Sequence, residues 1–311
     1  MVINERQSAR YTRRRFGKVA LAAVPGATLL ATPRFSWALA LADINSTIQG
    51  VRIGAITYSF RAISDADAIV KAMVQIGLGE VELMSNHAEA LAGAPSGRGA
   101  TEALRAWRMA TSPQTWTPVR RRFEDAGIKL RLLCYNMNVK TTSDEEIEYA
   151  FSMAKALSVA AISTSTQVSM AKRVARFADR HRIVVGYHGH SNVTDPDEVA
   201  TPKSFATCLS YSKYHAVNLD IGHFTAAGFD PVAFIRENHT RITHLHLKDR
   251  QTMTNGGANV PWGQGDTPIK QALQLLRREQ WDIAANIEFE YPGDPLVEVP
   301  RCFQFCKDAL A

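Results

Sequence analysis

Arg241-Ile242-Thr243-His244-Leu245-His246-Leu247-Lys248-Asp249 is a short run in which imidazoles alternate with leucines. As a strand it sets His244 and His246 on one face and Leu245 and Leu247 on the other. It ends in a charged pair and opens into a polar stretch, 250–267. Seven further apolar or β-branched runs share this form, at 51–58, 80–84, 128–135, 159–163, 182–187, 216–219 and 283–289. Helical patterns fall between them. Ser64-Asp65-Ala66-Asp67 and Ser143-Asp144-Glu145-Glu146 read as capping-box starts, and Asp230-Pro231 puts proline at a first helical position. Gly77 and Gly127 sit where helix C-caps belong.

Strands that alternate with helices pair in parallel and are buried on both faces. Eight such units in the space available predict a (β/α)8 TIM barrel. A doubly wound sheet would favour a glycine-rich turn after the first strand, and Gly54-Ala55-Ile56-Thr57-Tyr58 has none. No linker or composition shift follows residue 50, so residues 41–311 read as one domain. Two long connections, 86–117 and 250–267, follow the second and seventh strands, on the face where barrel active sites form.

Polar residues at the ends of barrel strands converge on that face. The second strand ends Glu80-Val81-Glu82-Leu83, with His87 just beyond, and the fifth ends Gly186-Tyr187-His188-Gly189-His190. The sixth ends Asn218-Leu219-Asp220-Ile221-Gly222-His223, and the eighth Ile287-Glu288-Phe289-Glu290. Seven of the nine histidines fall within or beside these ends, His181 and His215 excepted. A lone strand-end Asp or His reads as a hydrogen-bonded scaffold group. His, Asp, His and Glu from four consecutive strand ends instead form a mixed nitrogen and oxygen set, suited to one catalytic divalent ion (Mn, Co, Mg or Zn) rather than a closed cysteine site.

Over residues 50–310 the ordered set Tyr187-His188-Gly189-His190, Leu219-Asp220-Ile221-Gly222-His223-Phe224, His246-Leu247-Lys248-Asp249, Pro261-Trp262-Gly263-Gln264-Gly265-Asp266 and Ile287-Glu288-Phe289-Glu290 resembles the xylose isomerase-like TIM barrel superfamily, the sugar phosphate isomerase/epimerase group. The resemblance implies metal ligands at His188, Asp220, His246 and Glu288. It leaves Glu290 behind Glu288 or for proton transfer, and His223 near substrate or metal. Catalytic candidates are Glu290, His190, Glu82 and Lys248; substrate-binding candidates are His223, Trp262, His87 and Asp249. Trp262 would stack on an apolar sugar face, with a loop anchor as its ordinary alternative; Lys248 and Asp249 would orient hydroxyls, or simply pair with each other. One departure is visible: the epimerases carry a glutamate where this chain has His188, and an imidazole is a different proton acceptor from a carboxylate.

The implied chemistry is proton abstraction next to a carbonyl in a sugar or keto-sugar, through an enediolate that a divalent ion stabilises. Loss of the fifth-strand glutamate tilts the outcome from isomerase or epimerase towards a lyase or hydratase on 3-keto-glycosides. The rivals are a non-catalytic sugar-binding barrel and, further off, an endonuclease-IV-like hydrolase.

The formal charge is +6, and residues 1–40 alone carry seven basic residues against Glu5. The remaining 271 residues are balanced at 29 basic and 29 acidic, which argues against nucleic acid as a partner. Residues 1–40 resemble a twin-arginine (Tat) export signal: Arg13-Arg14-Arg15-Phe16, an apolar run from Val19 to Ala31, then Ala38-Leu39-Ala40 for cleavage. That run is short of the roughly 20 residues needed to span a bilayer. The expected partners are therefore the Tat machinery and a carbohydrate, with no stable membrane insertion after cleavage, a periplasmic or otherwise exported location, and a homo-oligomer left open. The four cysteines form no CxxC pair and read as buried free thiols.

Overall fold

The computed structural model describes residues 43–311, Arg98 excepted. The chain opens with a two-residue strand β1 (Thr47–Ile48), folded back antiparallel on β2 (Val51–Ile56). The turn between them, Gln49-Gly50, has positive φ at both positions (49° and 84°), the geometry that matches the twist of a tight hairpin. Seven strands follow: β3 (Glu80–Met84), β4 (Lys129–Cys134), β5 (Ala161–Ser165), β6 (Val184–His188), β7 (His215–Asp220), β8 (Ile242–Leu247) and β9 (Ala284–Ile287). From β2 to β9 each strand pairs in parallel with the next, and β9 pairs with β2 to close the ring. This is the (β/α)8 barrel expected from the alternation.

The helices are α1 (Ala66–Ile76), α2 (Ser85–Leu91), α3 (Thr101–Ala110), α4 (Trp116–Glu124), α5 (Asp144–Leu157), α6 (Val168–His181), α7 (Pro202–Ser210), α8 (Ile221–Ala226), α9 (Pro231–Asn238), α10 (Ile269–Glu279) and α11 (Pro295–Leu310). Ser143 and Glu146 form a true capping box at α5. At α1 the cap is Asp65, which accepts from the Asp67 N–H, and Ser64 lies one residue too early. Two strands, β5 and β6, start later than the sequence pattern because the chain must first leave a helix. Ser158 and Arg182 end α5 and α6 in the left-handed region (φ 58° and 56°), so β5 and β6 begin after them. β9 is shorter than the run 283–289, which leaves Glu288 and Glu290 beyond the ladder.

The connection 86–117 is not irregular; it folds into α2, α3 and a single 3-10 turn. Arg108 on α3 binds Glu89 and Glu146, two carboxylates that are otherwise buried, and so fastens this layer to α5. At the opposite end of the barrel the Ile44 N–H donates to Gly127 O, and Ser46 Oγ joins Ile53 O and the Gly79 N–H. All four cysteines are free and buried. No helix among the described residues is long and apolar enough to cross a membrane. The twin-arginine segment lies outside the described residues.

Candidate active site at the strand ends

Register carries the site residues to one level. Asp220, the last residue of β7, stands opposite His246 of β8, and His246 stands opposite Asn286 of β9. Glu288 follows β9, its N–H donating to Leu247 O. His188 ends β6. The four candidate ligands His188, Asp220, His246 and Glu288 are all buried, and one ligand atom from each lies within 4.8 Å of the others. His188, His246 and Glu288 form the floor of a cavity of about 260 Å³ whose walls include Tyr58, Asn136, Ser165, His190, Asn218, His223, Lys248 and Glu290; Asp220 does not line it but reaches Lys248, which does. A larger groove, about 610 Å³, lies on the outer helices against Arg108, Arg176 and Arg180, away from the strand ends.

Charge at the floor is dense. Lys248 Nζ lies 3.1 Å from Asp220 Oδ2 and 3.0 Å from Glu288 Oε2, and also binds Glu290. Burial pushes its ammonium towards the neutral form, but the three carboxylates outweigh that and hold its pKa above the ordinary lysine range. His246 donates from Nε2 to Glu82 (2.7 Å) and from Nδ1 to Glu288 (3.1 Å). Burial again favours the neutral ring, yet Glu82 and Glu288 together hold His246 well above the usual histidine value. His188 is pushed well below it by burial and then by His246. Glu288 resists the upward push of burial because Lys248 and His246 face it, and it stays well below the carboxylate range.

Two observations bear on a metal. The buried atom His188 Nδ1 has no hydrogen-bond partner, a costly arrangement for a polar atom unless something else binds there. Moreover, the carboxylates Glu82, Asp220, Glu288 and Glu290 outnumber the cations Lys248 and His246 by two negative charges. A mixed imidazole and carboxylate set with that excess fits a divalent cation.

Other candidates are placed differently. Glu82 is fully buried below the cavity, tied to His246, His244 and Asn286, so it supports the floor and meets no substrate. Asp249 accepts from the Gly263, Gly265 and Thr267 N–H groups; it organises the loop 250–267 rather than touching a ligand. Trp262 packs edge-on against Phe305 of α11 and is the loop anchor, not a sugar platform. His87 binds Thr57 Oγ1 (2.9 Å) and does not line the cavity. His239 stacks on Trp281 just before β8, so six histidines, not seven, belong to the strand ends.

Two residues at the mouth went unnoticed in the sequence, Glu198 and Arg250. Glu198, in the loop after β6, lies 2.5 Å from His190 Nδ1. Arg250, directly after Asp249, lies 2.5 Å from His223 Nδ1. The only available signal was position: each is a charged residue in a loop that follows a barrel strand.

Solved structures share the fold. A sugar phosphate isomerase/epimerase from Parabacteroides distasonis matches at TM-score 0.60 and 15% identity, over 87% of this chain and 99% of that one. The probable 3-DHS dehydratase AsbF, of petrobactin synthesis in Bacillus anthracis, matches at TM-score 0.59 and 17% identity, over 84% and 97%. The IolI protein, whose structure holds a zinc atom, matches at TM-score 0.60 and 14% identity, over 83% and 96%. No curated protein matches the chain by sequence. The family model for xylose isomerase-like TIM barrels, however, matches residues 70–306, and with the ring of strands and the residues at their ends it places this chain in the xylose isomerase-like TIM barrel family.

Proposed function

We propose that the protein is a divalent-metal-dependent enzyme that removes a proton from the carbon beside a carbonyl in a sugar or keto-sugar. The observation that carries this is the meeting of His188, Asp220, His246 and Glu288 at the strand ends bordering the cavity, with His188 Nδ1 unpartnered. A cation held by these four supplies Lewis acidity towards a substrate oxygen. Glu290 and His190, both on the cavity wall, are the groups able to take the carbon-bound proton. Lys248 faces the same space; its ammonium steadies negative charge that grows on a neighbouring oxygen and keeps Glu290 in place. The resulting enediolate is either reprotonated at carbon or expels a β-substituent. His188, in place of the glutamate that epimerases use on the opposite side of the substrate, favours the second course, a lyase or hydratase acting on 3-keto-glycosides.

Incubation in D2O with a panel of ketoses and 3-keto-glucosides tests this. Solvent deuterium at carbon supports an isomerase or epimerase, and release of an aglycone or water supports a lyase. No exchange and no release with metal-loaded protein would leave a sugar-binding barrel instead. Export by the Tat route, and hence a periplasmic site of action, belongs to the same proposal. It rests on Arg13-Arg14 and the apolar run behind them; an R13K/R14K variant is expected to remain in the cytoplasm.

A further inference from the structure

His188, His190 and His223 approach one another closely enough to suggest a second cation site above the first. Their outer partners argue otherwise. The guanidinium of Arg250 has five N–H groups, no acceptor and a permanent charge. It is anchored by Ser191 Oγ (3.1 Å) and Gly257 O, and it places Nη1 2.5 Å from His223 Nδ1. His223 Nδ1 must therefore be the acceptor, so the single proton of a neutral His223 resides on Nε2. The reverse holds for His190. Its Nδ1 lies 2.5 Å from Glu198 Oε1, a carboxylate that only accepts, so Nδ1 carries a proton, and in the neutral ring Nε2 is bare. The loop bearing Glu198 is itself fixed, through the His190 N–H to Val199 O (2.8 Å) and the Glu198 bridge to Gln167. The two rings line one cavity with centroids 5.2 Å apart and planes at 80°.

We propose that Glu198 and Arg250 are positioning residues that lock His190 and His223 in opposite tautomers, giving the cavity one bare nitrogen beside one N–H donor. Such a pair recognises a carbonyl next to a hydroxyl: the carbonyl oxygen accepts from His223 Nε2, and the hydroxyl donates to His190 Nε2. A His223 held this way has no lone pair left for a cation, so the three histidines are a substrate clamp and not a metal centre. The α-hydroxyketone ligand class rests on the function proposed above, whereas the tautomers stand on their own geometry.

Two-bond 1H–15N correlation spectra of the full chain, labelled with 15N-histidine, read the tautomers directly. His190→Gln and His223→Gln variants assign the signals. The expected result is His223 protonated at Nε2 and His190 protonated at Nδ1. Arg250→Lys keeps a donor without an acceptor and preserves the His223 pattern; Arg250→Met and Glu198→Ala lose their respective patterns and give mixed tautomers. A bare Nε2 on His223, the same tautomer on both rings, or patterns unchanged in Arg250→Met and Glu198→Ala would overturn the proposal. Failure of every sugar to react would remove the enzymatic function and leave these nitrogen assignments untouched.

Discussion

His246 stands between two buried carboxylates, its Nε2 2.7 Å from Glu82 and its Nδ1 3.1 Å from Glu288. Both neighbours only accept, so the ring carries two protons until something displaces one. A divalent cation held by His246 and Glu288 would take the place of one of those protons, while the bond to Glu82 fixes the ring's direction. Loading with Zn²⁺ or Mn²⁺ is therefore expected to release close to one proton per site near neutral pH. Calorimetry in two buffers of different ionisation enthalpy measures it.

Purified protein is expected to hold near one equivalent of a divalent metal by elemental analysis. A His246→Ala, Glu288→Ala double variant, which removes one imidazole and one carboxylate, is expected to hold almost none. Full metal content in that variant would contradict the assignment of the floor.

Glu82→Gln keeps the shape of the side chain but removes the charge that orients His246. Metal affinity is expected to fall by about 10- to 100-fold, the usual effect of losing a carboxylate behind a histidine ligand. Competition against a fluorescent chelator gives the ratio, and a circular dichroism melt of the same sample separates it from unfolding.

Stability of the metal-free protein depends on pH with a definite sign. Burial first, with neighbouring positive charge in part, lowers the pKa of His87, His188, His215, His223 and His244 below 6.5. Their contribution is present above the unfolded value and is lost as pH falls through it towards the folded values. His246, raised instead, contributes fully below 6.5 and loses that contribution as pH rises through its folded value. Five groups outweigh one, so the melting temperature in EDTA is expected to fall from pH 7.5 to pH 5.5. One net proton over one pH unit is about 1.4 kcal/mol, or roughly 2–3 °C in a chain of this size. A melt that rises on acidification would contradict the burial of these rings.

Gly222 lies against Lys248. A Cβ there would sit 2.4 Å from Lys248 Cγ and 2.7 Å from its carbonyl oxygen. Gly222→Ala must therefore shift the backbone under the ammonium that holds Asp220, Glu288 and Glu290. A cost of about 1–3 kcal/mol is expected in thermal melts, with deuterium exchange into substrate slowed at least tenfold. An unchanged melt and an unchanged exchange rate would show that the packing relaxes freely there.

The barrel was legible because buried parallel strands need continuous apolar runs, and eight of them recur between capped helices. The floor was legible for a similar reason. Alternation in β7 and β8 forces Asp220 and His246 to the same side, and register sets them face to face. Loops follow no such period. Asp249 belongs to the same run as His246 yet turns towards the Gly263, Gly265 and Thr267 N–H groups, which only the path of the loop decides. For Trp262 the sequence leaves a sugar platform and a loop anchor equally open, and the anchor prevails because α11 returns beside it and supplies Phe305. Glu198 and Arg250 were missed because their importance comes from which nitrogen of a distant ring they face.

The ties of Ile44 and Ser46 to Gly127 and Gly79 secure the first described residues under the barrel, at the end remote from the cavity. Residue 43 thus stands at the base of the barrel. An affinity handle, a fluorescent reporter or a tether to a solid support attached there leaves the mouth unobstructed, so the protein can be immobilised for flow-through assays without hindering access of its ligands.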